Sequence, residues 1–302
     1  MDALQQWVGK LEDDLTLLMP NRVQQRLEAL DRLDAYFPEL AEAEIHDPEQ
    51  EAEIDGVEID TLDAAGLARR ARWIRDRLET SNREFYEAIR DQVRRGAGRL
   101  ALRPWTRLSR EQAEASHGMR FDFRDDLICG LLQLEQPQGG PLKSEPEMVF
   151  YQPTPARHIF NLIGLSALTA EDVFLDIGSG LGHVPLLISI CTDARAIGIE
   201  LEGAYVERAR QCAERLNLDR VRFFEQDARV ADYSTGTVFY LYTPFSGAML
   251  QGVVDRLKQE AASRQIRVCS YGPSTSVIAR EPWLRATSVP DADRITVFRS
   301  CH

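Results

Sequence analysis

The sequence predicts an α/β protein: a mostly parallel sheet whose last strand is antiparallel, preceded by a mainly α-helical N-terminal domain. Three observations lead to this fold class. In the first half, apolar residues recur at three- and four-residue steps, as on one face of a helix. In the second half, short β-branched runs alternate with helical segments. A glycine-rich loop follows the first of these predicted strands.

Two helices are predicted before residue 40, because apolar residues at helical spacing are interrupted first by Pro20 and then by Pro38. A third helix is predicted from Asp60–Asp63 to Gly96. It begins with acids and ends with arginines and a glycine, as the helix dipole and the geometry of a helix C-terminus prefer. The first half therefore reads mainly as helices, with an acidic stretch over residues 39–60 that suggests a solvated connector.

A break rich in proline and glycine runs from Pro137 to Pro141. We therefore place the domain boundary near residue 140. The prediction is an N-terminal helical domain over residues 1–140 and an α/β domain over residues 141–302.

Strands and helices alternate after this boundary, which predicts right-handed crossovers and a mostly parallel sheet covered on both faces. A final hairpin, made by Trp283–Val289 and Ile295–Phe298, makes the last strand antiparallel. The other strands are predicted at Val173–Ile177, Ala194–Ile199, Val221–Glu225, Thr237–Leu241 and Ile266–Ser270, and the helices at Pro185–Cys191, Ala204–Leu216 and Ser246–Ala261.

Composition restricts the classes of function. The chain has 302 residues, 44% of them hydrophobic, and a net charge of −12, which is typical of a globular protein. No apolar run approaches the ~18 residues that span a bilayer, and the polar start lacks a signal peptide's pattern, so we expect a cytoplasmic protein without a membrane partner. Five scattered cysteines favour reduced thiols over disulfides or a metal cluster. The acidic total and only three lysines disfavour nucleic acid as a partner.

The glycine-rich loop is the most informative motif. Residues 176–182 read Asp-x-Gly-x-Gly-x-Gly, with glycines at Gly178, Gly180 and Gly182. Glycines let the backbone turn tightly and approach a ligand closely, and the following helix offers free N–H groups. A dinucleotide fingerprint needs its third glycine at position 183, where this chain has His183. A nicotinamide cofactor is therefore disfavoured.

The spacing resembles the first motif of the class I S-adenosylmethionine-dependent methyltransferases, and the resemblance extends over roughly residues 145–302. It implies a Rossmann-like sheet and S-adenosyl-L-methionine as cofactor, with S-adenosyl-L-homocysteine as product. It also implies cofactor contacts from the glycine loop and from the ends of the next two strands. The cofactor-binding residues implied there are Asp176, Gly178, Ser179, Gly180, Gly182, Glu200, Leu201, Asp227 and Ala228.

Two acids, Glu200 and Asp227, are expected to bind the adenosine part of the cofactor. Glu200 ends the second strand, where a carboxylate can accept two hydrogen bonds from a ribose diol. Asp227 follows the third strand, where members of the family have an acid that meets the adenine amino group. Each acid has a plainer alternative, which is a surface carboxylate for Glu200 and a turn residue for Asp227.

The segment before the glycine motif has two interpretations. Thr154 can cap the next helix, with Pro155 in its first turn. Alternatively, an aromatic residue followed by a hydroxyl residue, here Tyr151 and Thr154, is similar to the cofactor-covering segment of the non-SET histone-lysine methyltransferases (disruptor of telomeric silencing type). That resemblance implies contact with the methionine end of the cofactor.

The loop after the fourth strand holds the candidate catalytic residues. Many amino-group methyltransferases have Asn/Asp-Pro-Pro-Tyr/Phe here, whereas this chain has Tyr242-Thr243-Pro244-Phe245. The amide or carboxylate that holds a substrate amine is missing. Tyr242 or Thr243 is therefore expected to orient the acceptor, with Tyr242 also lining the cofactor; a packing role is the alternative for Tyr242. No metal is implied, because the sulfonium is activated by its own charge and needs an aligned nucleophile.

The sequence thus predicts a methyltransferase whose acceptor is unidentified; a protein is favoured, then a small molecule, and RNA comes last because of the acidic total. The helical domain is expected to cover the strand ends or to select the acceptor, because a bare sheet edge offers little of a closed pocket. The alternative is a sensor or scaffold module that binds S-adenosylmethionine without catalysis. Turnover of the cofactor distinguishes the two.

Overall fold

The computed structural model divides the chain into two compact units, Met1–Ala88 and Ile89–His302. The predicted boundary near residue 140 lies outside the described residues and stays a prediction. No helix among the described residues is both long and apolar enough to cross a membrane. The structure describes residues 2–38, 64–106, 120–137, 151–242 and 245–301.

The first unit is helical, as predicted. Its helices share one apolar core, to which Val8, Leu33 and Ala71 each contribute a side chain with no exposed surface. The elements are α1 (Asp2–Asp13), two 3-10 turns (Leu15–Leu18 and Pro20–Arg22), α2 (Val23–Tyr36) and the first part of α3 (Ala64–Arg94).

In the second unit, the described residues between the end of α3 and the sheet form the helices α4 (Gly98–Thr106), α5 (Phe123–Leu132) and α6 (Ala156–Ser166). Arginines bind the carbonyl oxygens that the end of α5 leaves without a helical partner. Arg90 donates to Gly130 O at 2.7 Å and Arg215 donates to Leu132 O at 3.1 Å. These bonds join α5 to α3 and to the helix that carries Arg215.

The sheet has seven strands in the order β3-β2-β1-β4-β5-β7-β6. The first five pair in parallel, whereas β7 is antiparallel to both β5 and β6. The predicted α/β class is confirmed, with its Rossmann-like, mostly parallel sheet and antiparallel last strand. The strands are β1 (Val173–Ile177), β2 (Arg195–Glu200), β3 (Val221–Glu225), β4 (Val238–Tyr242), β5 (Arg267–Tyr271), β6 (Leu284–Ala286) and β7 (Thr296–Ser300).

The connections between the strands position the site. They contain α7 (His183–Cys191), α8 (Gly203–Arg215), α9 (Gly247–Ser263) and the short α10 (Ser274–Ile278). Strand order reverses between β1 and β4, so the loops that follow β1 and β4 diverge to opposite sides. In open α/β sheets, ligands bind in the crevice at such a switch point.

The opposite end of the sheet is held together by Asp172. Its carboxylate accepts hydrogen bonds from Thr169 N (2.8 Å) and Thr237 Oγ1 (2.8 Å), and it forms an ion pair with Arg267. These partners join the starts of β1, β4 and β5. Although burial alone would raise it, these hydrogen bonds lower the pKa of Asp172 to about 2.

Acid unfolding tests this network. The ordinary pKa of the carboxyl is 3.8, so its contribution to stability is complete above that value and is lost as pH falls towards 2. We expect Asp172→Asn to lower the free energy of unfolding at pH 7 and to flatten its decline between pH ~5 and ~2. Denaturant titrations at a series of pH values measure both effects. The exposed Asp219, changed to Asn, is the control, and equal pH slopes for the two variants would contradict the assignment.

Candidate functional site

The glycine loop between β1 and α7 is shaped by its contacts with β2 and β3. The N–H groups of Gly178 and Ser179 donate to Ile199 O at 2.8 and 3.0 Å. Gly182 has φ +83° and precedes α7 as its N-cap residue. A Cβ on Gly182 would lie 2.5 Å from the ring of Phe223. The third glycine is therefore required by the turn and by its approach to β3.

Glu200 ties the end of β2 to this loop. Its Oε2 accepts a hydrogen bond from Gly180 N at 2.8 Å. Its Oε1 accepts two more, from Leu201 N at 2.7 Å and Glu202 N at 2.9 Å. A carboxylate has about four acceptor positions. The geometry thus leaves one position on Glu200 for a further donor, in contrast to the two that a ribose diol was expected to use.

Asp176 is a buried carboxyl beside the loop. It is 4% exposed and lies in β1, in register with Tyr240 of β4. Burial, followed by the negative charge of Glu200, raises the pKa of Asp176 well above its ordinary value. Within the described stretches no residue donates a hydrogen bond to it. Such a group is costly to bury, and a cationic ligand group would stabilise its charged form.

Tyr151 lies directly on the glycine loop. Its Cε2 is 2.1 Å from the position that a Cβ on Gly180 would take. On its other side, its ring centroid is 5.1 Å from that of Tyr205 in α8. Its hydroxyl is 3.2 Å from Nδ1 of His183, the first residue of α7. Tyr151 therefore belongs to the same cluster as the loop, as its predicted role requires.

Thr154 does not cap α6, so that interpretation was wrong. Its Oγ1 lies 3.1 Å from the hydroxyl of Tyr240, and both residues are buried. The N-cap residue is Pro155, which lies before the helix and not in its first turn. The N–H of Ala156 donates instead to Asp125 Oδ1 at 2.7 Å. A carboxylate from α5 supplies the cap that a local hydroxyl was expected to supply.

The acid that follows β3 is paired with a neighbour. Asp227 accepts hydrogen bonds from Arg229 Nε at 2.9 Å and Nη2 at 2.6 Å, and these bonds lower the pKa of Asp227. Its carbonyl accepts from Val230 N at 3.0 Å, as in a turn. The next carbonyl, of Ala228, accepts from the hydroxyl of Tyr233 at 2.6 Å. The geometry agrees with the turn alternative, and contact of Asp227 and Ala228 with adenine stays a prediction.

Two further candidates in this region differ in exposure. Leu201 is 45% exposed beside Glu200. Ser179 is buried, and in the described part of the chain its Oγ has no hydrogen-bond partner. A Cβ on Gly198 would lie 2.7 Å from that Oγ. The hydroxyl of Ser179 therefore faces the middle of β2.

Aromatic rings line the ends of β4 and β5. Tyr242 stacks on Tyr271, with centroids 4.9 Å apart and planes inclined by 26°. The centroid of the His158 ring is 4.3 Å from that of Tyr271. Burial raises the pKa of Tyr242 to about 12. The second catalytic candidate, Thr243, lies outside the described residues together with Pro244.

The sequence did not indicate several partners in this cluster. Tyr240 could have been found from the alternation of β4, because it faces the same side of the strand as Tyr242. No local pattern indicated the contact of Tyr151 with His183, since its two residues are far apart in the chain. In the described ranges no three His, Cys, Asp or Glu side chains are grouped so that they could hold a metal ion.

Solved structures of methyltransferases are similar to this chain. An RNA methyltransferase from Salinibacter ruber in complex with S-adenosyl-L-homocysteine has 27% identity and a TM-score of 0.41, with 49% of this chain and 92% of that one covered. A Pyrococcus abyssi tRNA (uracil-54, C5)-methyltransferase, also in complex with S-adenosyl-L-homocysteine, has 18% identity and a TM-score of 0.39, with coverages of 49% and 39%. A precorrin-6y C5,15-methyltransferase from Geobacter metallireducens has 15% identity and a TM-score of 0.39, with coverages of 51% and 91%. No protein-family model and no curated protein matches the chain.

The glycine loop can be tested without a ligand. We expect Gly182→Ala to destabilise the protein by ~2–4 kcal/mol, because it combines a left-handed backbone with a clash against Phe223. Gly164 is the control: it lies within α6, and a Cβ there would contact nothing within 4 Å. Gly164→Ala should stabilise by ~0.5–1 kcal/mol. Thermal and denaturant unfolding measure both changes, and a neutral Gly182→Ala would contradict the geometry.

Proposed function

We propose that the unit Ile89–His302 binds S-adenosyl-L-methionine and transfers its methyl group to a protein or small-molecule acceptor. The observation that carries this proposal is the buried carboxyl of Asp176 beside the glycine loop and Glu200. A cofactor with a cationic methionine end and a ribose diol matches this pair of acids, since Asp176 is a buried carboxyl whose charged form a cation would stabilise and Glu200 is a half-buried hydrogen-bond acceptor.

Each end of the cofactor has a candidate partner in this chain. Asp176 would hold a cationic group of the methionine end, and the neutral hydroxyls of Tyr151 and Tyr240 lie beside it. Glu200 would accept from the ribose through its free acceptor position.

The bound cofactor supplies a methyl group already activated by its sulfonium. The chain then has to orient the acceptor and keep water out. Tyr242 is the candidate for orientation. Because burial raises its pKa to about 12, Tyr242 is neutral at pH 7 and serves as a hydrogen-bond donor and acceptor. Its stacked ring, on Tyr271, supplies an apolar wall.

The charge of the chain supports the proposed acceptor class. Residues 89–302 contain 26 acidic and 26 basic residues, so this unit has no surplus of positive charge for phosphates. Asp176 and Glu200 would hold the cofactor in an enzyme and in a sensor alike, so turnover of the cofactor distinguishes the two roles.

Calorimetry with S-adenosyl-L-homocysteine tests the site. We expect binding by the wild type, no measurable binding of NAD, and a loss of ~1.5–3 kcal/mol on Glu200→Ala, the range for hydrogen bonds to a charged group. Glu214→Ala, on the exposed side of α8, is the matched control and should bind as the wild type does. Equal affinity in Glu200→Ala and Glu214→Ala would remove Glu200 from the site.

Asp176→Asn should raise the stability of the protein while it lowers the affinity for the cofactor. A raised pKa means that the folded state loses stability as pH rises above the ordinary value of 3.8. The uncharged amide avoids this loss, so the melting temperature at pH 7 should rise by ~2 °C or more, and the gain should vanish near pH ~4. Affinity for the cofactor should fall ~10-fold or more. Asp172→Asn, which should lower the melting temperature, is the control; a less stable Asp176→Asn with unchanged affinity would contradict the proposal.

Transfer of labelled methyl groups from S-adenosyl-L-methionine to fractions of a cell extract tests the acceptor. Label in protein or in small molecules supports the proposal, label in nuclease-sensitive material contradicts the acceptor class, and binding without turnover indicates the sensor alternative.

Once an acceptor is identified, Tyr242→Phe should retain cofactor affinity within ~0.5 kcal/mol and lose ~10-fold or more in turnover. The control is Tyr36→Phe, at a half-exposed tyrosine of α2. Normal turnover by Tyr242→Phe would show that the Tyr242 hydroxyl does not orient the acceptor and that the loop after β4 only lines the site.

A further inference from the structure

We propose that Tyr151 must leave the glycine loop before the cofactor binds, and that its hydrogen bond to His183 sets how readily it leaves. This inference rests on the proposed function. It concerns a step that comes before methyl transfer: access to the cofactor site. Tyr151 is then a positioning residue with two arrangements, one on the loop and one beside the bound cofactor.

The ring of Tyr151 fills the space above the loop. Its Cε2 and Cδ2 are 2.1 and 2.5 Å from the position of a Cβ on Gly180, so the ring occupies the space that a side chain at this position would need. The ring of Tyr205 closes the other side, with centroids 5.1 Å apart and planes inclined by 55°. The hydroxyl of Tyr205 is held by Gln136 Nε2 at 3.1 Å. A ligand that touches Gly180 on this side therefore meets the ring of Tyr151.

The hydroxyl of Tyr151 is anchored at the start of α7. It lies 3.2 Å from Nδ1 of His183. Burial lowers the pKa of His183 to about 4, so the ring is neutral at pH 7. A neutral imidazole has one nitrogen that accepts, and Nδ1 can accept from the phenol. Removing the imidazole would take away the one hydrogen-bond partner of this phenol among the described residues.

The same hydroxyl lies near both candidate cofactor acids. Burial raises the pKa of Tyr151, and the negative charges of Asp176 and Glu200 raise it further. The phenol therefore sits within the electrostatic reach of the two carboxylates that a cofactor would bridge. The cofactor and this arrangement of Tyr151 compete for one space, so binding requires the side chain to move.

Competition of this kind has a kinetic signature. If only the molecules with Tyr151 displaced can bind, the apparent association constant and the apparent association rate both equal their intrinsic values multiplied by the fraction of such molecules. Weakening the contact that holds Tyr151 raises the fraction and accelerates association. A residue that only contacts the bound cofactor has the opposite signature, because its loss accelerates dissociation and leaves association unchanged.

Stopped-flow binding of S-adenosyl-L-homocysteine to the full chain distinguishes these cases. His183→Leu and Tyr151→Phe each remove one partner of the hydrogen bond, and we expect association ~2–10-fold faster in both, the equivalent of one ordinary hydrogen bond. Tyr151→Ala removes the ring and should accelerate association by at least as much. Tyr205→Phe keeps its ring beside Tyr151 and is the control with unchanged association. Thermal unfolding of each variant verifies that it is folded.

The outcomes separate this inference from the proposed function. Faster association in His183→Leu and Tyr151→Phe supports the inference, and so does binding that appears only in these variants. Association at the wild-type rate in both variants, with binding intact, overturns the inference and leaves the proposed function standing. Absence of binding in the wild type and in every folded variant overturns both.

Discussion

The hydrogen bond from Gly180 N to Glu200 Oε2 is the interaction on which the site depends, at a length of 2.8 Å. It joins the loop after β1 to the end of β2, so the two neighbouring crossovers meet at one edge of the sheet. The same carboxylate also organises the first turn beyond β2 through Leu201 and Glu202. One acid therefore determines the shape of the loop and offers an acceptor to a ligand.

A second constraint is the free-energy cost of burying the negative charge of Asp176 close to that of Glu200. Asp176 is buried in β1 next to the negative charge of Glu200, and the groups around it, the phenols of Tyr151 and Tyr240, are neutral. Asp172, at the opposite end of the sheet, is by contrast a carboxylate paired with Arg267. No described residue donates a hydrogen bond to Asp176, so chemistry is expected at its end of the sheet, whereas the end with the paired acid provides stability.

The sequence predicted what depends on local pattern. Alternating β-branched runs and helical spacing located the strands and most helices, and glycine spacing located the loop at 178–182. The capping role of Thr154 was wrong because Asp125, distant in the chain, takes the N–H of Ala156. The contact of Tyr151 with His183 was not predicted for the same reason, since it depends on how α7 packs against the segment before α6. Hydrogen bonds between residues that are distant in the chain follow no periodic pattern, so the sequence alone does not predict them.

A crystal structure of the protein with S-adenosyl-L-homocysteine would show whether Asp176, Glu200 and the glycine loop form the cofactor site. We expect a ribose hydroxyl within hydrogen-bond distance of Glu200, the methionine amino group beside Asp176, and the ring of Tyr151 displaced from Gly180. Density for the ligand away from the glycine loop would contradict this assignment. So would a bound ligand that leaves Asp176 and Glu200 without contact.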